Sequence, residues 1–299
     1  MVIVITGSSG LVGSALLRVL EAEGHLVRRM VRREVRDGDH EIRWDPAMGT
    51  IDAAELDGVD GVVHLAGESL AAKRWNATVK QEIRDSRVKG TRLLAETLAK
   101  LTNKPDVFVS ASAIGFYGDR GDEPVDETAS PGAGFLADVC REWEGATQPA
   151  RDAGIRVVNL RLGVVISGDG GALAKMRLPF KLGVGGVVGS GRQYWSWIAI
   201  QDLVRAILFA LENKSLAGPV NAVSPGPVTN REFTKTLGRV LGRPTIFPMP
   251  AFAARMALGE MADEMLLAGV RVEPTRLSDA GFSFEYPQLD RALSHELKR

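Results

Sequence analysis

The chain opens on Val2-Ile3-Val4-Ile5-Thr6 and runs directly into Gly7-Ser8-Ser9-Gly10-Leu11-Val12-Gly13. A short run of β-branched residues predicts a buried strand, and Leu11, Ala15, Leu16, Val19 and Leu20 recur behind it at helical spacing. Strand, glycine turn and helix in immediate succession is the context in which a glycine motif carries meaning. Gly7 permits the tight turn, Gly10 lets a pyrophosphate approach the backbone, and Gly13 lets the helix pack closely on the sheet. The helix start, from Ser9 through Leu11 and Val12, offers backbone N–H groups and a positive dipole end to phosphates. The plainer alternative is a structural strand–turn–helix with no ligand.

The pattern then repeats. Strands are predicted over Leu26–Val31, weakly over Glu41–Trp44, and over Gly61–Leu65, Asp106–Ser110 and Ile155–Leu162. Helices are predicted over Asn76–Leu101 and Phe135–Ala153. This alternation predicts an α/β fold with a doubly wound parallel sheet. After Gly163 the character changes. Residues 168–191 are glycine-rich with little periodicity and are expected to close over a substrate, with Lys181, Arg192 and Gln193 as anion contacts. Helices follow at Ile200–Leu211, Glu232–Leu241 and Phe252–Ala268, with a strand at Val220–Val223. The expected organisation is a nucleotide-binding domain over residues 1–165, to which 198–224 return. A smaller, mostly helical C-terminal substrate-binding cap takes 166–197 and 225–299.

Composition removes several classes of function. Lys+Arg and Asp+Glu are both 37, so the basic excess of a nucleic-acid binder is absent. One cysteine, Cys140, excludes an internal disulfide framework, and four histidines without ligand spacing argue against a metal site. No run reaches the ~18 apolar residues of a membrane span, and the opening lacks the basic start of a signal peptide. The expectation is a cytoplasmic protein acting on a small molecule, without nucleic-acid or membrane partners, and with a homodimer as the one assembly considered.

The spacing Gly-x-x-Gly-x-x-Gly after Thr6 resembles the opening of the extended short-chain dehydrogenase/reductase superfamily. Val63-His64-Leu65-Ala66-Gly67 resembles that superfamily's fourth strand and the turn beneath the adenosine. Ser110-Ala111-Ser112 followed by Tyr117-Gly118 resembles its serine strand. Ala66-Gly67-Glu68, Ser86-Arg87, Trp143-Glu144, Gly170-Gly171-Ala172-Leu173 and Trp195 to Asp202 are similar to its atypical epimerase-like branch, labelled sugar-nucleotide epimerases. The resemblance runs from end to end and implies a Rossmann-type nucleotide domain. One departure is Ala199, where the branch usually carries His.

Enzymes using NAD place an acidic residue after the second strand, on the ribose 2′-hydroxyl. Here that strand ends Val31-Arg32-Arg33, with Glu34 following. Two guanidinium groups fit a 2′-phosphate, so NADP(H) is the expected cofactor; two solvated surface arginines are the alternative. Val31, Leu65, Ala66, Gly67, Glu68, Glu82, Arg87, Ser110 and Val165 complete the expected cofactor contacts. Val165 enters because strand ends in open α/β sheets form the ligand crevice.

Active members of the superfamily carry a Tyr and, four residues on, a Lys on one helix face. The matching positions here are Leu136 and Cys140, so the pair is missing, while the serine survives as Ser112. Cys140 is either a tuned proton carrier or a small buried hydrophobe. Tyr117 is the remaining phenol near the serine strand, either the substitute proton donor or a packing group. Arg87 sits on the apolar stripe of the long helix, either facing the cofactor or paired structurally with Glu82. The sequence therefore leaves two readings: an NADP(H)-dependent oxidoreductase of epimerase or dehydratase type with a reorganised acid–base set, or a catalytically silent NADP(H)-binding sensor.

Overall fold

β1 (Val2–Thr6) is β-branched at nearly every position and buried along almost its whole length, the pattern of a central parallel strand. It pairs in parallel with β2 (Leu26–Val31) on one side and with β5 (Gly61–His64) on the other. Beyond β2 lie β3 (Glu41–Asp45), parallel, and the short β4 (Thr50–Ile51), antiparallel. Beyond β5 lie β6 (Val107–Ala113), then the strands Arg156–Leu162 and Gly218–Ala222, completing an eight-stranded sheet. The chain leaves β1 in one direction and returns to its other side at β5. The strand order therefore reverses at β1, and the crevice outside the ends of β1 and β5 is where such sheets take ligands.

The structure, a computed structural model, describes residues 1–35 and 40–298. The chain packs as two units. The first comprises residues 1–112, 139–160 and 207–220; the second comprises 113–138, 161–206 and 221–299. Residues 113–138 thus belong with the second unit, and that unit is as long as the first rather than smaller.

In the first unit, α1 (Leu11–Ala22) buries Gly13, Leu16 and Leu20. α2 (Ala77–Lys100) starts where the Asn76 side chain accepts from the Val79 N–H at 2.8 Å, and it buries Val79, Ile83, Gly90, Leu94 and Leu98. Of these, Leu94 and Leu98 join Trp44, Leu56 and Phe108 in one core. α3 (Phe135–Gly145), whose first turn is counted with the second unit, is shorter than the expected Phe135–Ala153. Pro149 has no N–H to give a continuing helix, and a separate short helix restarts at Gln148.

In the second unit, residues 168–191 are only partly a loop: Gly171–Lys181 is a helix. Trp195, Trp197, Phe233 and Leu293 anchor its core. The helix Asn230–Leu241 begins in a capping box between Thr229 and Glu232. The expected helix Phe252–Ala268 breaks at Gly259, whose φ is 65°, so the regular helix runs Ala251–Leu258.

Candidate functional site

The turn after β1 contains two glycines that the protein itself requires. Gly7 has φ 69°, and a Cβ there would sit 2.8 Å from the backbone of Leu65 and Ala66. A Cβ on Gly13 would run into the Gly7 carbonyl oxygen, so its close approach is to the turn rather than to the sheet. Gly10 differs. Its φ of −76° suits any residue, and a Cβ would meet only the Gly7 oxygen, at 3.3 Å. α1 then begins with no side-chain cap and no acidic residue in its first turn, leaving the positive end of its dipole uncompensated. Ser9 and Gly10 are exposed beside it.

A buried chain of polar groups holds this turn to β5. Thr6 Oγ1 accepts from the N–H groups of Leu65 and Ala66 at 3.1 and 3.2 Å and lies 2.7 Å from His64 Nδ1. The threonine proton therefore goes to Nδ1, which makes Nε2 the protonated nitrogen, 3.0 Å from Thr91 Oγ1 on α2. Trp143 Nε1 on α3 donates to the same oxygen at 2.9 Å. Burial pushes His64 down to about 4, so the imidazole is neutral at physiological pH. Sequence reasoning passed over His64; the signal was a histidine closing a fully apolar strand.

Gly67 and Glu68 emerge exposed from the end of this turn. Val31 ends β2, and Arg32 follows it with its side chain 75% exposed and the Glu68 carboxylate at 3.7 Å. Arg33 is committed elsewhere. It forms an ion pair at 2.6 Å with Glu41, a carboxylate with only 2% side-chain exposure that Arg29 also meets at 2.6 Å. The two arginines expected to act together thus have different partners: Arg32 stands exposed beside Glu68, and Arg33 pairs with a buried acid.

Arg87 is half-buried on α2. Its guanidinium carbon lies 3.4 Å from where a Gly67 Cβ would be and 5.2 Å from the Trp143 ring centroid, and Nη1 donates to the Ile83 carbonyl at 3.1 Å. Burial draws its pKa down, opposed by the nearby Cys140 and Glu68. Glu82 does not pair with it. Five residues apart on a helix points two side chains to different faces, and Glu82 bonds Lys73 at 3.3 Å instead.

On β6, Ser110 is fully buried and turns its hydroxyl to the Ala111 carbonyl. Ser112 donates to Glu144 Oε1 at 2.7 Å. Leu136, Cys140 and Glu144 stand at successive four-residue steps along one face of α3. Sequence reasoning stopped at Leu136 and the buried Cys140 and missed the third member of that stripe, which presents a carboxylate to the serine.

In the second unit, Tyr117 is fully buried. Its hydroxyl donates to Asn221 Oδ1 at 2.6 Å and accepts from Arg161 Nη1 at 2.9 Å. Burial pushes the phenol up to about 12. Arg161 also lies 3.5 Å from the Phe116 ring centroid, and Glu127 accepts from the Asn221 N–H. Val165 lies in a short strand, Val164–Ile166, paired in parallel with Trp197–Ala199. Gln193 is buried and donates to the Val188 and Leu266 carbonyls, whereas Lys181 and Arg192 are exposed.

Residues 3–223 match the NAD dependent epimerase/dehydratase family, and residues 249–296 match a domain of unknown function, DUF1731. Epimerase family protein ML0860 of Mycobacterium leprae is 46% identical over 100% of this chain and 96% of its own. A crystal structure of human epimerase family protein SDR39U1 (isoform 2) with NADPH is 34% identical, covers all of both chains and superposes with a TM-score of 0.92. A nucleoside-diphosphate sugar epimerase from Corynebacterium glutamicum is 41% identical over 99% of this chain and 58% of that one, with a TM-score of 0.82. The fold is that of the dinucleotide-dependent epimerases and short-chain dehydrogenases. The chain belongs to the NAD dependent epimerase/dehydratase family, in its branch with a C-terminal DUF1731 extension.

Proposed function

We propose that the first unit binds NADP(H) across the ends of β1 and β5, and that Ser112 and Glu144 are the acid–base pair of an oxidoreductase of epimerase type whose substrate is a small molecule. The observation that carries the cofactor reading is the uncapped start of α1 behind a Gly10 that no packing demands. The α1 N-terminus and the Ser9–Gly13 backbone hold the pyrophosphate. Arg32, where an NAD enzyme carries an acid, swings from Glu68 to a 2′-phosphate. Arg87 sets a second positive charge against Gly67 at the rim of the same turn. The human relative with NADPH supports this choice of dinucleotide. When bound, the nicotinamide ring supplies hydride transfer.

The protein's own part is to move a proton. A substrate hydroxyl placed at Ser112 gives its proton to Oγ as the Ser112 hydroxyl proton passes to Glu144 Oε1, across the 2.7 Å bond already formed. The reverse transfer protonates a carbonyl oxygen. We assign Tyr117 no proton-transfer role, because its hydroxyl is spent on Asn221 and Arg161. We assign Cys140 the place of a small buried side chain in the lysine position.

The silent-sensor reading is favoured by one observation, the apolar Leu136 where the tyrosine would stand. A panel of aldehydes and ketones followed by NADPH absorbance separates the two. Turnover abolished by Glu144→Gln, with cofactor binding intact, supports the enzyme. Tight NADPH binding without turnover of any substrate in the panel supports the sensor.

A further inference from the structure

Among the described residues, eight of the twelve exposed large apolar side chains lie on two short stretches of the second unit. Leu178, Leu182 and Val184 occupy the last turn of the helix Gly171–Lys181 and the residues just after it, at 64%, 68% and 59% exposure. Ile246, Phe247 and Met249 lie in a segment stiffened by Pro244, Pro248 and Pro250. Phe252 and Met256 follow on the helix Ala251–Leu258, which buries Ala254 and turns these two, one turn apart, outward at 66% and 70% exposure.

The two stretches lie edge to edge. The Met249 N–H donates to the Val187 carbonyl at 2.8 Å, and the Gly189 N–H donates to the Met249 carbonyl at 2.9 Å. Gly186 passes so close to the Phe247 carbonyl that a Cβ would not fit. A folded chain seldom gathers this many large apolar groups on its surface unless another surface covers them.

Charge indicates which surface. Residues 170–201 contain no Asp or Glu and carry Lys175, Arg177, Lys181 and Arg192. Residues 233–259 again contain no Asp or Glu and carry Lys235, Arg239, Arg243 and Arg255. Arg255 is paired with Asp263 at 2.8 Å, while Lys181, Arg239 and Arg243 are exposed within the same two stretches. In a chain whose charges sum to zero, the stretches bearing the apolar patch are the two longest runs without a carboxylate. A second copy laid on this face about a two-fold axis would bring the same cations together, which costs free energy. An anionic lipid surface meets both features: its acyl boundary takes the apolar side chains and its headgroups take the cations.

We propose that this face docks on an anionic phospholipid bilayer, with Leu182, Phe247, Phe252 and Met256 entering the acyl boundary and Lys181, Arg239 and Arg243 meeting the headgroup phosphates. The attachment is peripheral, since no described helix is long and apolar enough to cross a membrane. It is independent of the cofactor reading, because no residue of the glycine turn takes part.

The test is flotation of the full chain with two vesicle preparations, phosphatidylcholine alone and phosphatidylcholine with about 30% phosphatidylglycerol, the second chosen for its negative surface potential. The expected result is binding to the anionic vesicles only, weakened by high salt. Arg243→Gln is expected to lower the affinity about five-fold, the value of one basic residue near such a surface. Phe252→Ser is expected to lower it at least about ten-fold. Both positions are exposed, and unchanged melting and NADPH titration will show that the fold is intact. Absence of binding to the anionic vesicles at low salt overturns the proposal. So does a wild type that elutes as a dimer and becomes a monomer on Phe252→Ser, because the patch then belongs to a second copy.

Discussion

His64 ties the glycine turn after β1 to the helices behind it, and its neutrality makes that tie sensitive to acid. The imidazole sits at about 4 in the folded chain against 6.5 when exposed. A histidine with a depressed pKa binds fewer protons folded than unfolded, so stability falls as pH drops from 6.5 towards 4 and the loss is complete below about 4. The shift corresponds to about 3 kcal/mol in total, of which about 2 kcal/mol is lost between pH 7 and pH 5. His64→Asn keeps a nitrogen or oxygen near Thr6 but cannot take up a proton. The variant should be less stable than the wild type at pH 7.5, by about 1–3 kcal/mol for the lost Thr91 bond. Its stability should change much less between pH 7 and pH 5. Burial raises Glu127, which by the same linkage contributes stability that is lost as pH rises, but that contribution is common to both proteins and cancels in the difference. Urea unfolding at three pH values between 5 and 7.5 measures it. Parallel curves for wild type and variant would refute the reasoning.

Arg32→Ala should weaken NADPH about ten-fold, the lower end for a charge-assisted contact because this side chain is so exposed, and leave NADH unchanged in calorimetry. Arg33→Ala should instead leave NADPH affinity within about two-fold and lower stability by about 1 kcal/mol, since Glu41 keeps only Arg29. Gly10→Val should abolish binding of either dinucleotide at a small cost in melting temperature, because the φ of −76° suits valine and its Cβ needs only a slight shift of the Gly7 oxygen. Ser112→Ala and Glu144→Gln should each reduce any turnover ~10²–10⁴-fold without changing the NADPH dissociation constant. Tyr117→Phe should cost about 1–3 kcal/mol of stability, by removing a bond from both Arg161 and Asn221, and leave turnover in place; loss of turnover at full stability would return the tyrosine to the chemistry.

The sheet was legible because its central strands are short β-branched runs, buried on both faces and punctuated by glycine. The helix Gly171–Lys181 was not, because Gly170 and Gly171 open it and Pro179 sits inside it, all local signals against helix that packing overrides. The long helices expected at 135–153 and 252–268 ran past Pro149 and Gly259, where local punctuation was the better guide. At the site, the glycine turn was readable from spacing alone, since its constraints are local. The division of labour between Arg32 and Arg33 was not, because it depends on Glu41 arriving from the next strand. Glu144 could have been found by extending the Leu136–Cys140 stripe by one more turn. Tyr117 could not have been placed, because Asn221 and Arg161 reach it from 104 and 44 residues away.

The central claim is that the α1 N-terminus and Arg32 select NADP(H). Calorimetric titration of the wild-type protein with NADPH and with NADH tests it most directly. The predicted result is saturable NADPH binding at least about ten-fold tighter than NADH, the difference one charge-assisted contact to the 2′-phosphate makes. Equal affinities, or no heat with either dinucleotide, would contradict it.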